Sequence, residues 1–169
     1  IHDGVMSLTL LKCGTFPDPD ADKCEHEFIY SLFPHAGDYR EAGTIQKAYD
    51  LNIPMICKKV GDNKGNLANE YSFFTVDCDN VIFETAKKAE TEDTIILRGC
   101  EYYNKRTTAN VKFGLKKKKV YLCDMLENNI QELDVVDNTV TIDFKPFENN
   151  TIKIIKKKKK RGIGRMKKI

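Results

Sequence analysis

Apolar residues recur at every second position in short stretches along most of this 169-residue chain. The clearest run is Thr107, Ala109, Val111, Phe113 and Leu115, which alternate with polar neighbours. A period of two places alternate side chains on opposite faces of a β-strand, so each run predicts a strand with one face more buried than the other. Comparable runs predict strands at Met6–Leu10, Phe28–Leu32, Tyr71–Val76, Val81–Ala86, Ile95–Cys100, Val120–Met125, Val140–Phe144 and Ile152–Ile155.

Turn-forming residues separate these runs. Exposed turns are predicted at Gly61–Asn66, Asp77–Asn80 and Glu90–Asp93, which are rich in Gly, Asp, Asn and Glu. Many short strands joined by turns are typical of an antiparallel sandwich, and nothing in the chain has the pattern of a parallel βαβ sheet. The predicted fold class is therefore all-β, an antiparallel β-sandwich with one short helix.

The single helix is predicted near Asp38–Leu51. Asp38 suits an N-cap, and Glu41 lies three residues later, as in a capping box. Gly43 weakens such a helix by about 1 kcal/mol relative to Ala, and Pro54 requires the helix to end before it. The apolar residues between these limits share one helical face: Ala42, Ile45, Ala48 and Tyr49.

Several segments in sequence resemble one known family. They are HDGVMSLTLLK (residues 2–12), PDPDAD (17–22), EHEFIYSLFPHAGDYREAG (25–43), AYDLNIP (48–54), NVIFETAKKAE (80–90), IILRGCEY (95–102) and FKPFE (144–148). Together they resemble the C-terminal region of glycoside hydrolase family 38, the zinc-dependent alpha-mannosidases, and especially its bacterial branch. The resemblance extends from about His2 to Phe147.

The resemblance implies a division of labour within a longer enzyme. Retaining hydrolysis of a glycoside needs two carboxyl groups about 5–5.5 Å apart, and in this family zinc held by His and Asp also binds the sugar. All these groups belong to an N-terminal catalytic domain. This chain has no H-x-D zinc pair, so we expect it to be inactive alone and to hold no zinc or other cofactor.

The resemblance also implies the partners of the chain. We expect it to support its own N-terminal catalytic domain in an enzyme that hydrolyses terminal alpha-mannosides of mannose-containing oligosaccharides, and the parent could form a homo-oligomer. Residues that could reach the rim of the sugar site are His35, Asp38 and Arg40, which cluster at one bend and suit hydroxyl recognition. The local alternative is that Asp38 caps the helix and Arg40 lies on its exposed side.

The basic residues are concentrated at the C-terminus. From Lys153 onward there are ten Lys or Arg and no Asp or Glu, which leaves 18 of the 28 basic residues against all 25 acidic residues. We predict a sandwich domain over residues 1–155 and a basic, disordered tail over 156–169. The tail lacks aromatic residues for base stacking, so we do not expect nucleic-acid binding, and the run Lys116–Lys119 is predicted to be a solvated turn or edge.

Cysteine and histidine offer little for a metal site. Cys24 and His26 could form half of a zinc site, but no second pair of ligands presents itself among three histidines and six cysteines. The six cysteines occur singly, and their even count would allow three disulfides in a secreted protein. Because no signal peptide occurs and most of them lie in apolar strand patterns, we predict free thiols that are largely buried in strands. The spacing Asp18-x-Asp20-x-Asp22 resembles the start of a calcium loop, but Lys23 and Ile29 occupy positions that need Gly and an acid, which favours a polar turn.

No signal-peptide pattern or apolar run of about 18 residues occurs, so we expect a soluble, cytoplasmic protein without membrane contact. Two other functions stay open. One is an independent carbohydrate-binding module, against which the absence of Trp counts. The other is a nucleic-acid binder that uses the basic tail.

Overall fold

The computed structural model describes residues 2–62, 64–66, 68–114 and 118–156, with only the backbone of Lys118 and Lys156. Most of the predicted tail, residues 157–169, and the Lys116–Lys117 part of the Lys run lie outside these ranges. The chain divides between Ala36 and Gly37 into two compact units. Within the described ranges, no helix has the length and apolar character that a membrane span requires.

The first unit has no helix and no strand ladder among its described residues 2–36. His2 and Val5 exchange two backbone hydrogen bonds in a tight turn. The predicted strands Met6–Leu10 and Phe28–Leu32 are wrong for this chain, since both stretches are irregular. Their alternating sequence favours a strand, but a strand needs a hydrogen-bonded neighbour, and none pairs with them in the described part of the chain.

Asp18, Asp20 and Asp22 lie in a polar turn. The carboxylate of Asp18 accepts a hydrogen bond from the backbone N–H of Asp20 at 2.9 Å, and Lys23 forms an ion pair with Asp20 at 2.7 Å. This arrangement is an Asx turn, in which an aspartate side chain satisfies its own backbone two residues on.

The second unit contains one helix and the strands. Its elements are α1 (Thr44–Asn52), β1 (Phe74–Val76), β2 (Val81–Lys88), β3 (Ile95–Glu101), β4 (Thr107–Phe113), β5 (Lys118–Cys123), β6 (Asn129–Leu133), β7 (Thr139–Phe144) and β8 (Asn149–Lys156). The sequence missed β6, because its residues NIQEL are mostly polar and it pairs only with β5 at a sheet edge.

The strands form two antiparallel sheets, as an all-β sandwich predicts. One has the order β1-β4-β7 and the other the order β2-β3-β8-β5-β6. Alternate residues of both sheets face a common core, which confirms the predicted fold class. The buried core residues are Val81, Leu97, Ala109, Val111, Phe113, Val120, Val140, Ile142, Phe144, Ile152 and Ile154.

The helix begins later than predicted. Gly43 adopts a left-handed backbone with φ of 64°, which interrupts helical geometry, so α1 starts at Thr44 rather than near Asp38. Its end at Asn52, two residues before Pro54, agrees with the prediction.

The prediction that the cysteines are largely buried is confirmed for only some of them. Cys100 and Cys123 are buried and Cys78 is half-buried, but Cys13, Cys24 and Cys57 are exposed. The three exposed thiols belong to irregular segments outside the sheets. All six cysteines are free thiols in the structure.

Candidate functional site

The predicted bend forms a reciprocal capping arrangement at Asp38–Glu41. One carboxylate oxygen of Asp38 accepts the backbone N–H groups of Arg40 and Glu41 at 2.8 and 3.0 Å. Glu41 accepts the backbone N–H of Asp38 at 3.0 Å in return. The capping box therefore exists, but it closes the turn before Gly43 rather than the first turn of α1, which has no side-chain cap.

Arg40 binds the other oxygen of Asp38. Its Nε and Nη2 atoms lie 3.1 and 2.9 Å from Asp38 Oδ2. The backbone N–H of Glu41, helped by Arg40, holds the pKa of Asp38 below its usual value, and Asp38 raises the pKa of Arg40. Both side chains are almost half exposed, so this charge pair is available to a ligand while its geometry is fixed.

Two tyrosines complete this cluster, and the sequence analysis missed both. Arg40 lies 5.4 Å from the ring centre of Tyr39, and its Nη1 donates to the carbonyl of Tyr103 at 3.4 Å. The rings of Tyr39 and Tyr103 meet edge to face at 6.3 Å. Tyr39 is 43% exposed, whereas Tyr103 is buried. We call Asp38, Tyr39, Arg40 and Tyr103 the bend cluster.

The helix α1 fixes the bend cluster against the sandwich. Tyr103 donates its hydroxyl to Gln46 of α1 at 3.2 Å, and Gln46 donates to the carbonyl of Asp79. One turn further, the hydroxyl of Tyr49 lies 2.7 Å from that of Tyr102. These contacts join residues more than 30 positions apart, which is why no local sequence pattern predicted them.

Tyr49 also donates a hydrogen bond to a carboxylate oxygen of Glu84 in β2 at 2.8 Å. Burial, together with the nearby negative charge of Glu84, raises the pKa of Tyr49 to about 12. The phenol therefore stays protonated at neutral pH and acts as a donor that connects α1 to β2.

The chemistry of the bend cluster suits binding rather than bond cleavage. Both oxygens of Asp38 are already occupied by backbone N–H groups and a guanidinium, which stabilise its charged form. A half-exposed aromatic ring beside a fixed Asp–Arg pair offers an apolar face and polar groups at its edge. This combination can orient a hydroxylated ligand.

Of the three predicted rim residues, the structure brings Asp38 and Arg40 into direct contact. His35 belongs to the first unit. Its Nδ1 lies 3.3 Å from the carbonyl of Ala36, and its ring is 5.5 Å from that of Phe33.

The described residues do not provide a metal centre, because nowhere among them do three or more His, Cys, Asp or Glu side chains converge. Cys24 and His26 do approach each other, with Sγ 3.5 Å from Nε2, but that nitrogen also lies 2.9 Å from the carbonyl of Asp22. Two ligands are fewer than a structural or catalytic zinc ion requires. The resemblance implies zinc in an N-terminal catalytic domain and not in this chain.

Two open clefts of the second unit lie away from the bend cluster. A cleft of about 600 Å³ follows β6 and the start of β7 and is lined by Gln131, Glu132, Leu133, Asp134, Val136, Asp137, Thr139 and Thr141. A cleft of about 520 Å³ is lined by Arg106, Thr107, Thr108, Leu122, Asp143, Phe144, Lys145, Glu148 and Asn150. Neither is lined by the exposed aromatic rings that suit a sugar face.

Comparison with known proteins finds a family model that matches part of the second unit and relatives that align along most of the chain. Residues 80–152 match the Glycosyl hydrolases family 38 C-terminal beta sandwich domain, a range that runs from just before β2 into β8. The chain is 33% identical to Alpha-mannosidase 2C1 of Homo sapiens, over 88% of this chain and 14% of that protein. It is 32% identical to the Mus musculus protein of the same name, over 92% of this chain and 15% of that protein. It is 28% identical to Alpha-mannosidase G of Dictyostelium discoideum, over 90% of this chain and 14% of that protein. The chain thus spans about one-seventh of the length of these curated relatives.

Proposed function

Because the chain belongs to glycoside hydrolase family 38 and carries its C-terminal β-sandwich domain, we propose that it is the non-catalytic C-terminal domain of a zinc-dependent, retaining alpha-mannosidase. The observation that carries the proposal is that the family match falls on β2 to β8, the strands that build the sandwich core. The relatives that align along most of the chain are alpha-mannosidases by name.

In this proposal, the chemistry belongs to an N-terminal catalytic domain of the same polypeptide. That domain supplies the zinc ligands and the two carboxyl groups needed for retention, and it hydrolyses terminal alpha-mannosides of oligosaccharides. The sandwich stabilises the catalytic domain by burying surface against it. The parent enzyme is proposed to be cytoplasmic and to form a homo-oligomer.

The bend cluster is the part of this domain that we propose to contact sugar. Tyr39 offers a half-exposed ring, and the Asp38–Arg40 pair offers donors and acceptors at fixed positions. Such rim contacts orient a substrate without taking part in bond cleavage. His35 stays a third candidate for the rim.

The division of labour can be tested by expressing the intact parent protein and this chain separately. We expect the intact protein to hydrolyse an aryl alpha-mannoside and to retain zinc after dialysis. The chain alone should do neither, because removing the members of a catalytic unit leaves little activity. An intact protein that is properly folded but inactive on alpha-mannosides would contradict the proposal, as would one equivalent of zinc retained by the chain alone.

The rim can be tested in the intact enzyme with Arg40→Gln, and Lys58→Gln serves as a control at an exposed cation outside the bend cluster. We expect Arg40→Gln to raise the KM for a mannose disaccharide by roughly fivefold, about 1 kcal/mol of binding, with kcat unchanged. An unchanged KM would contradict the rim contact, and an unchanged KM together with a lowered thermal midpoint would show that Arg40 serves only the fold. Tight binding of mannose oligosaccharides by the isolated chain would instead favour an independent binding module.

A further inference from the structure

The first unit exposes an unusual amount of apolar surface. Eleven of its large apolar side chains are at least 41% exposed, namely Val5, Met6, Leu8, Leu10, Leu11, Phe16, Phe28, Ile29, Tyr30, Leu32 and Phe33. Single exposed apolar residues are ordinary, but such a concentration within 36 residues is typical of a surface that another protein segment covers.

Two parts of this surface have the sequence of β-strands. Met6, Leu8 and Leu10 alternate with Ser7 and Thr9, and Phe28, Tyr30 and Leu32 also occupy every second position, although Ile29 between them is apolar as well. Neither stretch joins a strand ladder in the described part of the chain. Their backbone N–H and C=O groups are thus in position to pair with another strand, as an unpaired sheet edge does.

The relatives are much longer than this chain. The alignment with the mouse protein includes 92% of this chain, so at most about 14 residues lie outside it and at least 22 of the first 36 residues lie within it. The same alignment covers only 15% of that protein. The first unit therefore belongs to a stretch that these relatives carry inside a much longer polypeptide.

Charge restricts the chemistry of the partner surface. Residues 4–11 and 28–34 contain no Asp, Glu, Lys or Arg, although acidic residues flank the second of these stretches. A segment without charge that exposes Leu, Phe, Ile and Tyr pairs best with an apolar strand, because burial of a charge without a partner is costly.

We propose that residues 6–10 and 28–32 are two strands of a sheet that is completed by the catalytic-domain polypeptide of the same alpha-mannosidase. The inference rests on the proposed function, and it adds the surface and the mode of contact, which is β-strand pairing with an apolar partner. A second copy of this chain is the competing occupant, and the experiment separates the two.

Hydrogen exchange of the backbone amides provides the test, with the intact parent protein and this chain measured side by side. We expect the amides of residues 6–10 and 28–32 to exchange about 100-fold more slowly, or slower still, in the intact protein, because ladder hydrogen bonds must open before exchange. Equally fast exchange in both proteins would overturn the proposal. Protection in the isolated chain, whether as a monomer or as a dimer detected by light scattering, would also overturn it.

A matched pair of variants in the intact protein tests the face that is buried. Leu8→Lys should lower the thermal midpoint and restore fast exchange at residues 6–10, whereas Thr9→Lys should leave both unchanged. Leu8 and Thr9 are both exposed in this chain, so equal effects of the two variants would argue against strand pairing. Mannosidase activity of the unmodified intact protein tests the proposed function separately, so an active enzyme with unprotected amides refutes only this inference.

Discussion

Replacing the side chain of Glu101 should lower the stability of the sandwich strongly, because this carboxylate accepts four hydrogen bonds. Its side chain is fully buried at the end of β3. One carboxylate oxygen accepts Asn80 Nδ2 at 2.8 Å and the backbone N–H of Tyr103 at 2.7 Å. The other accepts the backbone N–H groups of Lys105 and Phe147 at 3.2 and 3.0 Å. A single carboxylate thereby holds together three loops that the sequence places far apart.

The expected cost of Glu101→Ala follows from the donors left without an acceptor. Two of the four hydrogen bonds are fully buried and two are partly buried. Each buried group left unsatisfied costs about 1–3 kcal/mol, so the free energy of unfolding should fall by about 3–5 kcal/mol. For a chain of this size, that loss lowers the thermal midpoint by about 10 °C. Glu101→Gln keeps one acceptor oxygen and should cost about 1–3 kcal/mol.

The assay is urea and thermal unfolding of this chain, followed by circular dichroism. Glu70→Ala serves as a control, since Glu70 is an exposed glutamate in an irregular segment, and it should change the free energy of unfolding by less than about 0.5 kcal/mol. If Glu101→Ala lies within about 1 kcal/mol of the unmodified chain, the four hydrogen bonds do not stabilise the fold as argued.

The pH dependence gives an independent check on Glu101. Burial raises its pKa, but the hydrogen bonds from Asn80 and from three backbone N–H groups outweigh burial, so its pKa in the folded chain lies below its ordinary value of 4.5. The stabilisation is therefore complete above about pH 4.5 and is lost as the pH falls through the folded pKa. The difference in unfolding free energy between the unmodified chain and Glu101→Gln should narrow over that range.

Three further predictions concern packing and titration. Gly114→Ala should lower the free energy of unfolding by about 1–3 kcal/mol, because a new Cβ would lie 2.6 Å from the backbone carbonyl of Ser72. Gly61→Ala is the control and should be nearly neutral, because the space around Gly61 is open. Equal midpoints of the two variants in thermal melts would contradict this. Difference absorbance titration of the unmodified chain against Tyr49→Phe should show the missing phenol ionising near pH 12, and an ionisation near pH 10 would mean that burial and Glu84 do not act on it. A thiol reagent at neutral pH should modify three cysteines rapidly and three only after unfolding, because burial also raises the pKa of the protected thiols; six equal rates would refute the assignment. The rapid group is Cys13, Cys24 and Cys57, and the protected group is Cys78, Cys100 and Cys123.

The alternating pattern by itself determined the fold class. Local sequence predicts strands at residues 81–86, 95–100 and 140–144, and these lie within β2, β3 and β7. Of the predicted run 107–115, residues 107–113 form β4, and Leu115 lies outside the described residues. In β4 and β7 the buried residues recur at every second position, because one face of each strand fills the core. The edge strand β6 has no such requirement because its residues are mostly exposed, and it left no pattern to read.

Only the tertiary structure determines whether an alternating segment pairs with another strand and whether a charged side chain is buried or exposed. Residues 6–10 have the same spacing as the sandwich strands but no partner in the described chain, since pairing depends on a neighbour that local sequence does not specify. Lys153 is one of the concentrated basic residues at the C-terminus, and it also falls within the predicted strand Ile152–Ile155. It lies in β8 with only 4% of its surface exposed and an ion pair to Glu92 at 3.3 Å. The pairing of β8 between β3 and β5 buries this charge, which the composition around it did not indicate.

In the candidate site as well, local contacts were predictable from sequence and contacts between distant residues were not. Asp38 and Glu41 were recognisable as a capping box because their contacts are local, and the sequence of the bend also placed Arg40 beside Asp38. Tyr103 joins them from a position 63 residues beyond Arg40. Only the packing of α1 against the sandwich brings that tyrosine to the bend, because contacts between residues so distant in sequence depend on the folded chain.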